Sequence, residues 1–512
     1  MTKQATTKSI SKKRLALAAE PKTTQAQLSS IIKSARDLMR KDAGLSGELD
    51  RLPQLSWVLF LKCYDDLEQG REASAVLSGQ PYRAVIPARY RWRDWAADPD
   101  KGLTGPDLAE WVNTKLLPKL RDLNGSEEQL VIAALFRETY NRMLSGYLLR
   151  DLVNLIHRVN FASHDEIFTL SHLYESMLKE MRDAAGDSGE FYTPRPVVRF
   201  MVERVAPTLG ETCLDPACGT GGFLVECNEY LKQQRRTAED EAQLQTRTLY
   251  GIEKKPMPYL LGTMNLLLHG IERPNVRRAN ALEKPLKDIG DADRYNVIVT
   301  NPPFGGEEEP GIQLNFPELT RAGETALLFL QFIMRSLKPG GRCAVVVPNG
   351  TLFGDGVTAR IKEQLLKNFN LHTIVRLPNG VFAPYTGIPT NLLFFDRTGP
   401  TSVIWYYELL LPEGRKNYTK TNPLRVEEFA ECAAWWDQRE ENERAWQVAA
   451  ADVLSYDDEG NLLSANLDIK NPSAAQDFEH LPPEQLVADI TAKERRIVEI
   501  MAEISQVLEA RK

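Results

Sequence analysis

The sequence predicts an α/β protein with a parallel sheet, a helical domain before it and a helix at the end of the chain. From about residue 210 to 396, short apolar runs alternate with amphipathic helical segments, as is typical of a parallel sheet. Earlier residues place apolar side chains at helical spacing. Near the end, Ile490, Ile497 and Ile504 recur seven residues apart, which predicts a helix with one narrow apolar stripe.

Composition indicates a globular protein of 512 residues with room for two to four domains. It is 43% hydrophobic and 26% charged, and no apolar run reaches the length of a membrane span. The six cysteines lack paired spacing, so we expect neither a disulfide framework nor a metal site, and a reducing cytoplasm fits. A net charge of −7 is unusual for a chain that grips DNA alone. Either a basic surface is confined to one part of the chain, or a partner makes most of the contacts with DNA.

The chain begins with a predicted disordered basic tail over 1–23, followed by a helical domain over 24–160. Within that domain, segment 82–95 interleaves arginines with tyrosines and tryptophans. Such a pattern could line a nucleic-acid groove. The alternative, which we favour, is a solvated loop with its aromatic side chains turned inward.

The next region, 161–400, is predicted to hold the sheet. Predicted strands lie at 212–214, 248–252, 276–278, 295–300, 342–347, 372–377 and 391–395. Predicted helices include 223–232, 258–269 and 325–337, and a further helix begins after Pro194. Residues 401–482 form a C-terminal extension with one more possible strand at 402–407, and 483–512 form the terminal helix.

The stretch Asn301-Pro302-Pro303-Phe304 directly follows a predicted buried strand. The two prolines stiffen the chain and remove two backbone donors, while their carbonyls remain. The corner therefore offers the Asn301 side-chain oxygen and the Pro302 carbonyl as acceptors, beside the aromatic face of Phe304. Two acceptors beside a ring suit a planar group with an exocyclic amine, although a plain proline turn is the simpler interpretation of this stretch alone.

A glycine-rich turn follows the first predicted strand. Gly219, Gly221 and Gly222 allow a sharp bend and close approach to a ligand, and Asp215 puts a carboxylate at the strand's carboxyl end. Leu224 stands where the dinucleotide fingerprint needs glycine, so this turn favours a ligand with a cationic head over a phosphate. Glu253 ends the second strand, where a carboxylate can accept both hydroxyls of a ribose, and Asn280 at the end of the third strand could edge an adenine ring.

Taken together at these spacings, the motifs resemble those of the amino-group DNA methyltransferases that use S-adenosylmethionine. The resemblance implies a Rossmann-like methyltransferase sheet, a catalytic motif at Asn301, Pro302, Pro303 and Phe304, and no metal. Its cofactor residues would be the following: Glu190, Phe191, Tyr192, Thr193, Pro194 and Arg195, against the methionine part; then Asp215, Gly219, Thr220, Gly221, Gly222, Phe223, Glu253 and Asn280.

More closely, the chain resembles the modification subunit of type I restriction–modification systems. The helical leader, Val347-Pro-Asn-Gly-Thr-Leu-Phe353, Thr390-Asn-Leu-Leu-Phe394 and the terminal helix match that pattern. The resemblance implies cytoplasmic methylation of the N6 amine of adenine in DNA, with the base flipped out of the stack. It also implies a separate specificity subunit that reads the sequence, two copies of this chain per specificity subunit, and a restriction subunit with nuclease and translocase activity.

Two other functions remain open on the sequence alone. A methyltransferase of the same fold could act on RNA adenine or on a protein glutamine side chain, because both present a planar amine. A non-catalytic scaffold could keep the fold to bridge partners, although the intact Asn301 and glycines speak against this. Methyl transfer to DNA, RNA and protein in parallel would separate the first alternative, and absence of cofactor binding would support the second.

Overall fold

The computed structural model describes residues 25–98, 102–159, 193–383, 386–419 and 421–473, with the helical residues 491, 494–495 and 500–501. The predicted tail 1–23, Glu190, Phe191 and Tyr192 therefore lie outside the described residues, as does most of the predicted terminal helix. Among the described residues, those up to Ile469 form one compact unit, and those from Lys470 onward belong to a second. None of the helices in these ranges combines the length and the apolarity that crossing a bilayer requires.

The first part of the chain is helical, as predicted. A π-helical turn, Val112–Leu116, joins α4 to α5, and a capping box formed by Ser126 and Gln129 starts α6. The helices are α1 Gln25–Met39, α2 Glu48–Leu77, α3 Trp92–Trp95, α4 Gly105–Trp111, α5 Leu117–Arg121, α6 Glu127–Phe136 and α7 Gly146–His157.

In segment 82–95 the two tryptophans turn inward, while Tyr82 and Tyr90 are half-buried. Trp92 is 1% exposed and Trp95 is 8% exposed. Arg93 donates from Nε to Asp65 and from Nη1 to Glu72, each at 2.8 Å. The favoured interpretation therefore holds for the two tryptophans, although they lie on the short helix Trp92–Trp95 and not on a loop.

A nine-stranded sheet forms the centre of the molecule, in the order β3-β2-β1-β4-β5-β7-β6-β8-β9. Its strands match the predicted positions closely, and residues after 400, predicted as an extension, add β8 and β9 to the same sheet. The strands are β1 Cys213–Asp215, β2 Leu249–Glu253, β3 Asn275–Arg278, β4 Tyr295–Thr300, β5 Leu337–Pro348, β6 Asn370–Arg376, β7 Thr390–Asp396, β8 Val403–Glu408 and β9 Ala445–Ala449. A separate hairpin pairs β10 Leu454–Tyr456 with β11 Leu462–Ala465.

The prediction of a purely parallel sheet is wrong in one respect: the sheet is mixed. β7 runs antiparallel to both β5 and β6, and β9 runs antiparallel to β8, while the other seven strands share one direction. β7 is buried along nearly its whole length, and its residues 392–395 form one continuous apolar run. Such a run carries no signal of strand direction.

Helices cover both faces of the sheet, so the hydrophobic core has two layers. The first layer involves α8, α9 and α15, and the second involves α13 and α14. The remaining helices are α8 Arg195–Val205, α9 Gly222–Lys232, α10 Ala238–Gln243, α11 Pro256–Leu268, α12 Pro310–Gln313, α13 Thr325–Ser336, α14 Val357–Asn368 and α15 Ala430–Gln438.

Helix α11 belongs to two parts of the molecule at once. Its residues Leu261, Met264, Leu267 and Leu268 are at most 1% exposed and lie in the same core cluster as the side chains of α1 to α7. Leu266 of the same helix lies in the core beneath the sheet. The N-terminal helices and the sheet therefore share a continuous apolar contact through α11.

Candidate functional site

The predicted site residues converge on one edge of the sheet. β1 lies between β2 and β4, and the chain crosses from β3 at one edge back to β4 on the other side of β1. This is a topological switch point, where open α/β sheets bind ligands at the carboxyl ends of the strands. Asp215 ends β1, Glu253 ends β2 and Asn301 follows β4, so these three residues lie on neighbouring strand ends about 5 Å apart from strand to strand.

Asp215 is a buried carboxylate with few donors. It is 1% exposed, and its Oδ1 accepts hydrogen bonds from the Thr300 hydroxyl at 2.7 Å and from the Ala217 amide at 3.2 Å. Burial raises the pKa of Asp215 to about 7, and the nearby charge of Glu253 adds to this rise. A cation placed here would be favoured, because it would stabilise the charged form that burial penalises.

Glu253 holds the glycine loop in place. Its Oε2 accepts from the Gly219 amide at 2.9 Å, and its Oε1 accepts from the Lys255 amide at 2.7 Å, at the start of α11. Both carboxylate oxygens of Glu253 therefore accept from backbone amides of the segments beside the strand end. The residue predicted to bind a ribose therefore also organises the loop beside it.

The glycine loop packs directly on α11. Gly219 and Gly221 have φ of +52° and +77°, in the left-handed region that favours glycine. A Cβ on Gly221 would lie 3.4 Å from the Gly262 carbonyl oxygen, and a Cβ on Gly262 would lie 2.6 Å from that of Gly219. The Thr220 carbonyl also accepts from Asn265 at 2.9 Å. Gly262 was not predicted, although a glycine inside an apolar helix is a signal of close backbone approach.

Asn301 presents one free acceptor. Its Nδ2 donates to the Thr193 hydroxyl oxygen at 2.9 Å, while its Oδ1 is buried and accepts no hydrogen bond from any residue in the described ranges. A buried polar atom left unpaired is costly, so an orphaned oxygen at the carboxyl edge indicates a ligand donor. The next residue, Pro302, is buried, and Pro303 is half-buried.

Phe304 is half-buried and faces Phe382. The two ring centroids lie 5.5 Å apart at 81°, an edge-to-face pair. Gly305 and Gly306 follow with φ of +87° and +85°, so the chain turns away directly after the ring. Phe304 is thus held at the edge beside Asn301 on a short, stiff segment.

The described end of the segment 190–195 joins the other two motifs. Thr193 bonds Asn301, and Arg195 donates from Nη1 to the Gly222 carbonyl at 3.2 Å. Pro194 is buried directly before α8. Three motifs far apart in the sequence are therefore in direct contact, while the structure does not describe Glu190, Phe191 and Tyr192.

Asn280 lies two residues beyond the end of β3 and is engaged by its own neighbours. Its Oδ1 accepts from the Leu282 amide at 3.0 Å, and its Nδ2 lies 3.3 Å from Glu308, which also pairs with Lys254 at 3.2 Å. Glu308 was not predicted, although it sits in an acidic run that closely follows Phe304. Phe223, predicted to bind the cofactor, is 3% exposed within the core, so its ring contributes packing, and the cofactor contact stays a prediction.

Comparisons with known proteins agree with this geometry. The model of the N-6 DNA Methylase family matches residues 165–478, and that of the HsdM N-terminal domain matches residues 28–156. A type I restriction enzyme methylase subunit (EcoEI) from Escherichia coli is 46% identical over 94% of this chain and 98% of its own length.

Two solved structures extend the likeness to three dimensions. The modification subunit of a type I restriction enzyme from Vibrio vulnificus superimposes with a TM-score of 0.85 at 56% identity, covering 90% of this chain and all of the other. A chain from work on complex assembly and conformational transition of the type I R-M system gives a TM-score of 0.69 at 42% identity, covering 96% of this chain and all of the other.

Proposed function

The chain belongs to the N-6 DNA methylase family, as a methylase subunit of the type I restriction enzymes, and we propose that it transfers a methyl group from S-adenosylmethionine to the N6 amine of an adenine flipped out of DNA. The observation that carries this proposal is the orphaned Oδ1 of Asn301. Because Thr193 holds the amide nitrogen, the oxygen is left to accept a hydrogen bond from a ligand that brings a donor. The amine of a flipped adenine is such a donor.

The residues around Asp215 fit S-adenosylmethionine. A desolvated carboxylate with two donors favours a cationic group, which the cofactor's ammonium and sulfonium centres provide. Glu253 ends β2, where a carboxylate can accept from ribose hydroxyls, and the loop at Gly219 and Gly221 lets a ligand approach the backbone closely. Bound there, the cofactor would supply an activated methyl group.

The chain's own contribution is positioning and hydrogen bonding. The Asn301 oxygen and the Pro302 carbonyl accept the two hydrogens of the amine, which frees its lone pair from conjugation with the ring. Holding the amine and the methyl donor in line removes much of the entropic barrier. Neither the positioning of the amine nor its hydrogen bonding needs a general base with a strongly shifted pKa.

The target base must leave the helical stack before Asn301 can reach it. Unstacking costs a few kcal/mol, and stacking on an aromatic side chain can return about 1–3 kcal/mol. Phe304 supplies that side chain, since it lies three residues after Asn301 and its ring is packed edge-to-face with Phe382. The ring thus compensates part of the cost of flipping.

Partners follow from charge and family. The net charge of −7 opposes unaided binding to DNA, so we propose that a specificity subunit holds the DNA and reads its sequence, with two copies of this chain per specificity subunit. A restriction subunit with nuclease and translocase activity would join the same assembly. We place this complex in the cytoplasm.

The test is methyl transfer by the full chain assembled with its specificity subunit, using labelled cofactor and DNA, RNA and protein in parallel. We expect label in DNA alone, at adenine N6. Asn301→Ala should lower the rate by at least about a hundredfold while cofactor affinity stays within about twofold, because Asn301 contacts the target amine. Label in RNA or protein, or a wild-type complex that binds no cofactor, would overturn the proposal.

A further inference from the structure

Phe353 is an exposed aromatic ring on a loop at the same edge of the sheet as Asn301. It is 48% exposed, whereas every other described phenylalanine is buried or half-buried. No aromatic or cation contact in the described ranges engages its ring. A single exposed apolar side chain is ordinary in a soluble protein. Two features distinguish Phe353: its position near the motif that starts at Asn301, and the hydrogen bonds that hold the backbone on either side of it.

The loop that carries Phe353 lies close to the catalytic motif. β4 and β5 are adjacent, with Thr300 opposite Val345, so β5 ends at Pro348 beside the corner that starts with Asn301. A 3₁₀ turn, Asn349–Leu352, then leads to Phe353. Strand spacing and the rise of the turn put the backbone of Phe353 within about 18 Å of Asn301. This upper limit is of the same order as the ~12 Å width of the major groove of DNA.

The backbone on both sides of Phe353 is held from beneath. Lys362 of α14 is 1% exposed and donates from Nζ to the carbonyls of Leu352 at 3.1 Å and Gly354 at 3.4 Å, the two residues that flank Phe353. The Leu352 carbonyl also accepts from the Leu467 amide at 2.7 Å. Burying an amine is costly, and burial lowers the pKa of Lys362 to about 8. The loop is therefore fixed at some cost, while about half of the surface of the ring at its tip stays exposed.

The proposed reaction leaves a gap in the DNA stack where the adenine has been removed. Proteins that distort DNA often insert an apolar side chain between base steps. We propose that Phe353 enters the duplex and fills the space vacated by the target adenine, stacking on its former neighbours. A rigid loop suits this role, because a wedge that must displace a base loses less entropy when its backbone is already ordered. This inference rests on the proposed function and names a further residue that positions the substrate.

The experiment compares four complexes of the full chain with its specificity subunit: wild type, Phe353→Ala, Phe353→Trp and Leu130→Ala. Leu130 is 50% exposed on α6, so it controls for loss of an exposed apolar side chain elsewhere. Each complex is given two duplexes that contain the site to be methylated. One has the target adenine paired, and the other has an abasic position opposite it, so that little pairing must be broken.

We expect Phe353→Ala to slow methylation of the paired duplex by about tenfold or more, as loss of one stacking contact predicts. On the abasic duplex it should lie within about twofold of wild type. Phe353→Trp should keep most activity on both duplexes, and Leu130→Ala should match wild type. With 2-aminopurine at the target position, Phe353→Ala should also reduce the fluorescence rise that accompanies flipping.

Several outcomes would overturn the wedge. Equal activity of Phe353→Ala and wild type on paired DNA would do so. An equal loss on both duplexes would mean that the ring serves another step. Failure of Phe353→Ala to assemble with the specificity subunit on size exclusion would assign the ring to a protein contact. A wild-type complex inactive on every DNA would refute the proposed function itself, which keeps the two failures distinct.

Discussion

Thr193 accepts a hydrogen bond from the Asn301 amide, and its hydroxyl is the only partner seen for the Asn301 side chain in the described ranges. The resemblance had placed Thr193 against the cofactor, so the two roles can be separated. Thr193→Val should lower kcat about tenfold, because an amide free to rotate no longer presents its oxygen, and cofactor affinity should hardly change. Thr193→Ser keeps the hydroxyl and should stay near wild type. Weakened cofactor binding with kcat preserved would return Thr193 to the cofactor.

Asp215 predicts a pH dependence of cofactor binding. Its pKa in the free protein is raised to about 7, above its value of about 3.9 in an unfolded chain. Because the folded protein binds the proton more tightly, the contribution of Asp215 to stability is full below pH 4 and is lost as pH rises through 7. A bound cation would favour the carboxylate over the protonated acid, so binding should release a proton. The affinity for S-adenosylmethionine should therefore increase as the pH rises from 6 to about 8.

Calorimetry in two buffers with different ionisation enthalpies measures that proton release. The cofactor's own amine titrates near pH 8, so Asp215→Asn is the matched control. The variant should bind more weakly and should lose the part of the pH dependence centred near 7. An unchanged profile in Asp215→Asn would show that this carboxylate does not face the cation.

At the residue scale, the sequence predicted what is contiguous and missed what is distant. Asn301 to Phe304 and Asp215 to Gly222 were recognisable because each motif is one short run. Glu308, Gly262 and Lys362 were not, because each acts on a loop separated from it in the chain. A local signal exists for two of them, the glycine inside an apolar helix at Gly262 and the acidic run at Glu308, but neither signal identifies the loop that the residue contacts.

At the scale of elements, the contact between the glycine loop and α11 can be tested with matched glycines. Gly262→Ala should lower Tm and weaken cofactor binding about tenfold or more, since its Cβ would lie 2.6 Å from the Gly219 carbonyl oxygen and would push the loop away. Gly70→Ala, within α2, meets nothing within 4 Å and should be neutral or stabilising by up to about 1 kcal/mol. Thermal melts and equilibrium binding of both variants decide the matter. If Gly262→Ala and Gly70→Ala changed Tm and cofactor affinity to a similar extent, close packing at Gly262 could not be the cause of the change.

Strand and helix positions were predictable, but their arrangement was only partly so. The helix predicted at 223–232 is Gly222–Lys232, and the strand predicted at 295–300 is Tyr295–Thr300. Periodicity and glycine or proline boundaries sufficed for these. The reversal of β7 between β5 and β6 was missed, because strand direction depends on which strands pair and a doubly buried strand shows no alternation.

At the scale of the whole molecule, the two ends of the chain should respond differently to removal. The helix predicted over 483–512 lies largely outside the described residues, and its narrow apolar stripe is typical of a helix that meets one or two others. We predict that truncation after Leu481 leaves Tm and cofactor binding of the isolated subunit unchanged but prevents assembly with the specificity subunit. A large fall in Tm would show instead that this helix docks on its own subunit. An unchanged Tm together with normal assembly on size exclusion would defeat both interpretations.

Removal of residues 1–159 should have the opposite effect, because the N-terminal helices cover α11. Leu261, Met264, Leu267 and Leu268 would all become exposed, and burial of four such side chains is worth roughly 6–12 kcal/mol. That sum is comparable to the entire stability of a typical domain, so the remaining sheet region should aggregate or lose cofactor binding. Replacing the four side chains with polar residues in the same truncated chain should restore solubility, which separates exposure of this face from loss of a folding partner. A monodisperse truncated chain with Tm within about 3 °C of the full chain, and with normal cofactor affinity, would show that α11 stands without the helical domain.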